Sequence, residues 1–372
     1  MTALYTILHM LVDGLCALAM FGTFLHREEG YFYILLYNFC AFALQMPFGV
    51  LLDMVNTQID GGEGKRGMDP AFLTAAAGVC CTIAGAVTHP VLLGIGNALF
   101  HVGGGVGTIR EDRARAWRGR GLGVFVAPGA LGLYLGTWIA KEELLIAWYP
   151  WVSILTVLLC LAGFRLQRSG RGKGNQDTLR EESNGGGVPY RETGTLQGGT
   201  PEWGTPEGTK LRKSCGKAAV CCLAVVILRS YVGMAVTFPW KTGMAAGTAA
   251  VLAVAAGKAA GGFSAARYGF AKTAAVSLSL AAFCYLFSFF MPVGLAALFL
   301  FNMTMPLTLY WMAESMPRLP GFAFGYLTFA LFLGFLPGYF GFLPGNGGNV
   351  LGCMGSVFSL LLLGAGMGRR RE

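Results

Sequence analysis

Apolar stretches of about twenty residues recur along the whole chain, separated by short polar or charged segments. A bilayer core of ~30 Å takes ~20 apolar residues in a helix, so each stretch reads as one spanning helix. Twelve spans are predicted, approximately over 3–24, 31–53, 70–88, 91–109, 121–139, 144–164, 217–239, 243–263, 273–291, 294–314, 321–341 and 349–367. The pattern breaks once, between Gln167 and Lys213, where Gly, Thr, Pro and charged residues leave too little apolar surface to fold alone. The expectation is an all-α integral membrane protein. It comprises a six-helix bundle over 1–165, a flexible cytoplasmic linker over 166–215, a second six-helix bundle over 216–368 and a basic cytoplasmic tail at 369–372.

With 54% hydrophobic and 13% charged residues, the chain fits neither a soluble enzyme nor a disordered protein. A net charge of +9 raises the question of nucleic acid, and the placement of the charges answers it. All but five of the 28 Lys and Arg fall in loops on one side of the predicted topology. Arg27, Lys141 and Lys241 fall on the other side, and Arg229 and Lys258 lie within spans. By the positive-inside rule both termini and the central loop are cytoplasmic, and the basic balance records topology, not a nucleic-acid partner. The partners expected are the lipid bilayer and a small-molecule substrate, with the chain acting as a monomer in a bacterial inner membrane.

The ten cysteines form no CxxC or Cys/His spacing and read as small packing residues. The first span lacks a basic n-region and a small-residue cleavage site, so it reads as a retained helix. No HExxH, GxSxG, GxxxxGK[ST] or dinucleotide fingerprint occurs. An enzyme, a cofactor and a self-contained ATP-driven pump are therefore not expected. His9-x-x-x-Asp13 offers two metal ligands on one helix face, but no third or fourth stands at useful spacing, so no metal site is expected.

Ionisable groups held within a membrane are costly and mark function. Asp13 is central in span 1, His101 in span 4 and Arg229 in span 7. His9 lies one helical turn from Asp13 on the same face. Removing a carboxylate from water favours its neutral form, which makes Asp13 the candidate proton carrier, with protons as the coupling ion. Arg229 is its candidate counter-charge or an anion-binding group, and His9 and His101 are candidate relay or ligand-contact groups. A static Asp13–Arg229 ion pair and a packing role for His101 are the alternative readings. Asn38 and Gln45 of span 2, Asn97 of span 4, Tyr231 of span 7, and Asn302, Thr304, Thr308 and Tyr310 of span 10 are candidate substrate contacts. Interhelical hydrogen bonding employs the same residue types. Lys258 and Glu314, near the predicted ends of spans 8 and 10, are assigned to gating, Lys258 because its stem can snorkel to the headgroups.

The two halves read as repeats. GVLLDM (Gly49–Met54) closes span 2, and GGFSAARYG (Gly261–Gly269) stands at the equivalent place in span 8. RGLGVFVAPGALG opens span 5 and PGFAFGYLTFALFLG opens span 11. Internal symmetry of this kind marks secondary transporters, whose substrate site lies near mid-membrane between the halves.

On these features the chain resembles the major facilitator superfamily, and among its branches the fosmidomycin-resistance type of efflux protein. The resemblance rests on HMLVDG (His9–Gly14), GIGNALFHVGGG (Gly94–Gly105), LRSYVG (Leu228–Gly233) and ESMPRLPGFAFG (Glu314–Gly325), in the same order and on the same helices. It implies alternating access between two halves, a cavity lined by helices 1, 4, 7 and 10, and proton-coupled export of a small organic compound. Uptake or facilitated diffusion of a metabolite, and a non-transporting sensor, are the other functions open to the scaffold. The superfamily's latch motif, Gly-x-Leu-x-Asp-Arg-x-Gly, is reduced here. Gly49, Leu51 and Asp53 remain in the first copy with Met54 in place of arginine. Gly262, Arg267 and Gly269 remain in the second with Ala266 in place of aspartate. Gly49, Asp53, Gly262 and Arg267 are thus gating candidates, interfacial charges facing headgroups being the alternative for the two charged residues. In span 5, Gly123, Pro128 and Gly132 are what remains of an antiporter motif, and Pro128 is a candidate pivot.

Overall fold

The computed structural model describes residues 1–60, 67–143, 145–183, 206–343 and 347–367. Among them, eleven helices are long and apolar enough to cross a membrane, and Phe270–Leu286, 17 residues long, is an apolar helix between two of them. In chain order the twelve spans are Thr2–Gly22, Gly30–Asp60, Pro70–Val87, Pro90–Ala114, Arg120–Lys141, Leu145–Ser183, Pro206–Ala235, Gly243–Tyr268, Phe270–Leu286, Met291–Ser315, Pro320–Tyr339 and Gly348–Met367. Proline stands in the first or second position of spans 3, 4, 10 and 11, where its missing N–H costs nothing. Asp69 caps span 3 by accepting from the Ala71 N–H at 3.1 Å.

Spans 4, 6, 7 and 8 run beyond their apolar stretches. Extending an existing helix costs far less than starting one, so span 4 continues through Arg110–Ala114, and spans 6 and 7 extend into the expected linker as far as Ser183 and from Pro206. The remainder of the linker and the basic tail lie outside the described residues.

Lipid supplies no hydrophobic drive between helices, so close backbone packing holds them together. Gly132 and Gly136 of span 5 lie on the Met10 and Gly14 carbonyls of span 1. Gly257 and Gly261 of span 8 lie on the Phe299 and Met303 carbonyls of span 10. Between the halves, Gly49 meets Gly321, Gly325 meets the Gln45 backbone, and Gly123 meets Gly262.

Three spans are interrupted. Span 2 passes through a π-helical turn at Phe39–Ala43. Span 5 breaks between Val126 and Gly129, at Pro128. Span 10 breaks at Met303, between Met291–Asn302 and Thr304–Ser315. A proline clashes with the carbonyl four residues earlier, and Pro306 places that clash at Asn302.

Candidate functional site

The three interruptions meet at one cavity of about 440 Å³ between the halves, touched by Phe42, by Val126 and Gly129, and by Asn302 and Met305. Its polar wall has two parts. His9, Asp13 and His101 come from spans 1 and 4. Arg229 and Lys258 come from spans 7 and 8, and Asn302 and Thr308 from span 10.

His9, Asp13 and His101 form a triad. The Asp13 oxygens stand 3.2 Å from His9 Nε2 and 3.5 Å from His101 Nε2. Asn97 donates to Asp13 Oδ1 at 3.2 Å. The two histidine Nε2 atoms are 2.9 Å apart. Behind them, His9 Nδ1 lies 2.7 Å from the Phe125 carbonyl and His101 Nδ1 lies 2.9 Å from the Asn97 carbonyl. A carbonyl only accepts, so both Nδ1 atoms carry hydrogen. Two neutral rings so arranged would turn bare lone pairs on each other across the Nε2–Nε2 contact. A further proton shared between them removes the conflict, and ionised Asp13 balances its charge. So arranged, the triad can be neutral overall and can hold one exchangeable proton.

The third ligand that spacing alone did not reveal is His101: the three residues offer ligand atoms within 4.8 Å of one another. Two nitrogens on one tetrahedral zinc ion stand about 3.3 Å apart at Zn–N bonds of ~2.0–2.1 Å. The 2.9 Å Nε2–Nε2 separation is that of a hydrogen-bonded pair and is shorter than the spacing of two nitrogens on tetrahedral zinc.

The Asp13–Arg229 ion pair is not formed. Asp13 engages the two histidines and Asn97, and Arg229 faces the cavity from the other half. Lys258, assigned from sequence to a gate, also lines the cavity. Span 8 ends at Tyr268, so Lys258 stands ten residues, about 15 Å, from the helix end and not one snorkelling length from it.

Of the gating candidates, Gly49, Asp53 and Glu314 stand near the ends of spans 2 and 10. Asp53 accepts from the Gly321 and Phe322 N–H groups at 2.8 Å each, capping span 11 across the interface between halves. Gly49 allows that approach, because a side chain there would strike the Gly321 carbonyl. Arg113 donates to Glu314 at 3.0 Å and to the Pro317 and Ala313 carbonyls at 2.9 and 2.5 Å. Asp112 caps span 5 through the Gly119, Gly121 and Leu122 N–H groups. Gly262 lies on the Gly119 carbonyl and Gly123, and the Tyr310 ring lies beside Gly119. Arg267 stacks on Tyr268 and does not reach Asp53. On the opposite side of the cavity Tyr31 and Tyr339 stack with ring centres 4.3 Å apart, and Tyr339 donates to the Tyr31 carbonyl at 3.1 Å. Sequence reading did not single out Arg113 and Asp112, because they fall past the predicted end of span 4 at residue 109; the signal available was the continuity of IREDR with that helix.

The candidate substrate contacts divide. Asn302 and Thr308 line the cavity. Asn97 supports the triad. Asn38 and Gln45 donate within their own helix, to Ile34 and Ala41, Thr304 to Phe301, and Tyr231 to Phe342. None of these four lines the cavity. Pro128 marks the break whose next residue, Gly129, packs directly on the triad: a Cβ there would come within 2.6 Å of Asp13 Oδ2.

By the length and composition of its helices the chain is a multi-pass membrane protein, built in two halves with a cavity between them. No family model matches the chain, and no curated protein matches it by sequence. Its fold matches the fucose:proton symporter FucP of E. coli with a TM-score of 0.56 and 11% identity over 97% of both chains. A structure of FucP in the outward conformation gives 0.55 and 12% over 99% of both. The human organic anion transporter MFSD10 (TETRAN) gives 0.54 and 13% over 96% of this chain and 97% of that one. The fold is that of the major facilitator superfamily transporters.

Proposed function

We propose that the chain is a secondary active transporter of the inner membrane, with both termini cytoplasmic, which exports a small organic compound in exchange for protons. The branch it resembles is the fosmidomycin-resistance type of efflux protein. The observation that carries the proposal is the Asp13–His9–His101 triad, whose two histidine Nε2 atoms lie 2.9 Å apart beside Asp13 on the wall of the cavity between the halves. The fold match to a proton symporter supports proton coupling.

Loss of the shared proton leaves the first half with a net negative charge facing Arg229 and Lys258 of the second. Protonation cancels that attraction. Cargo and proton then bind to one cavity and each alters the other's binding free energy, which is the requirement for coupling. Asp13 carries the coupling charge, His9 and His101 hold the proton, and the Asp53 and Arg113 contacts close the cytoplasmic gate in one of the two states.

The test is drug susceptibility of an efflux-deficient bacterium expressing the wild type or Asp13→Asn, over a panel of toxic compounds including fosmidomycin. Everted vesicles loaded with a pH-sensitive dye report proton exchange in parallel. Protection and substrate-dependent proton movement by wild type alone are expected. Equal protection by both proteins removes Asp13 from the coupling, and protection by neither, with both in the membrane, refutes export.

A further inference from the structure

Arg229 and Lys258 have no place in the proton relay, and among the described residues neither forms an ion pair. Arg229 is 9% exposed, and what exposure it has is to the cavity. Neither side chain donates a hydrogen bond to any of the groups that satisfy their neighbours: Ser230, beside Arg229, bonds the Leu331 carbonyl at 2.8 Å, and Asn302 bonds the Leu298 carbonyl at 2.9 Å. The two cations come from adjacent spans and line the same cavity.

Desolvating one ion costs several kcal/mol unless a partner compensates it, and two like charges around one cavity add repulsion to that cost. The acid opposite them does not serve as the partner. Asp13 is held by two histidines and Asn97, and the triad that contains it is neutral while it holds its proton. The cavity wall therefore carries an uncancelled positive charge on its second-half side. The rest of its lining is apolar, including Val226, Leu309, Phe324 and Leu327. Its volume of about 440 Å³ falls in the ~300–1,000 Å³ range of sites for drug-sized ligands.

We propose that Arg229 and Lys258 form the anion-binding half of the substrate site, and that the cargo is a small organic anion, an acidic oxygen group on an apolar body. The guanidinium supplies a planar pair of donors to two anion oxygens and the ammonium a point charge beside it. The apolar body lies against span 11 and the cavity side of span 10. The proposal names the substrate class of the site assigned above and rests on that assignment.

The experiment measures thermal stabilisation of the purified protein in detergent at fixed ionic strength. Its probes are matched in shape: benzoate against benzamide, and phenylphosphonate against its dimethyl ester. Saturable stabilisation by an acid of the set, absent with its neutral partner, is expected. Arg229→Gln should weaken the half-saturating concentration at least tenfold, with Arg229→Lys intermediate and Lys258→Gln weakening it further. Equal stabilisation by acid and neutral partner, stabilisation by no acid, or unchanged half-saturation in well-folded Arg229→Gln each overturns the proposal. The comparison of acid with neutral probe needs no variant, so a misfolded substitution leaves it decisive. No gradient is involved, so a failure of proton coupling in vesicles leaves this result standing, and a neutral cargo exported against protons overturns only this one.

Discussion

Asp53→Asn isolates the contact that ties span 2 to span 11. In the wild type each carboxylate oxygen accepts one backbone N–H at 2.8 Å, and the negative charge sits at the N-terminus of Pro320–Tyr339. A hydrogen bond to a charged group contributes ~1.5–3 kcal/mol, and an anion at a helix N-terminus adds ~0.3–1 kcal/mol. Asparagine keeps one accepting oxygen and turns an N–H donor toward the other amide, so one bond is lost and the survivor loses its charge. The net loss is about 2–3 kcal/mol in the state that closes this face. In the state that opens it Asp53 faces water and the substitution changes little. The equilibrium therefore moves toward opening by roughly 30- to 150-fold, at ~1.4 kcal/mol for each factor of ten. Spin labels on Thr57→Cys and Arg318→Cys, both exposed on this face and on opposite halves, report the separation in a background lacking the ten native cysteines. Electron–electron double resonance should show a longer-distance population in Asp53→Asn that is minor in the wild type. Identical distance distributions would refute the reasoning, because they would mean that the bonds persist in both states or contribute nothing to closure.

Three further outcomes follow from the geometry. Arg113→Ala removes the bonds to Glu314 and to the Ala313 and Pro317 carbonyls, and should open the same face in the same label pair. Arg113→Lys should recover part of the closure, and Glu314→Gln should open the face less than Arg113→Ala, because the two carbonyl bonds remain. Gly129→Val drives a side chain into His9 and Asp13; transport in vesicles should lose its dependence on the pH gradient while the protein still elutes as a single species. Gly261→Leu forces a side chain onto the Met303 carbonyl. Overpacking of this kind costs ~1–3 kcal/mol, so the unfolding temperature should fall by several degrees, and an unchanged value would show that spans 8 and 10 are free to separate there.

The positions of the spans were legible because lipid imposes a length and a composition on each. The depth of Asp13, His9, His101 and Arg229 followed directly, and all four line the cavity. What could not be read was pairing. Asp13 and Arg229 have opposite charge and similar depth, yet Asp13 engages two histidines whose outer nitrogens are fixed by backbone carbonyls, and a carbonyl leaves no trace in residue type. Lys258 was misplaced because hydropathy ends a span where charge begins, whereas the helix runs on to Tyr268. The same effect concealed Arg113 and Asp112, which occupy the last turns of Pro90–Ala114. Asn38, Gln45, Thr304 and Tyr231 each donate to a nearby carbonyl, a role that composition cannot separate from ligand contact.

The Asp53 cap also bears on how this protein can drift in evolution. Its carboxylate holds two main-chain N–H groups, so the receiving half of the contact is written in no side chain. Most replacements at Phe322 leave the N–H in place, and at Gly321 the demand is for the absence of a side chain, since a Cβ would meet the Gly49 carbonyl. Compensating exchanges between the two strands of the contact, of the kind that betray a pair of side chains through correlated change, have nothing to act on. Among descendants of this sequence the contact should survive as an isolated acid and two glycines that vary alone or not at all.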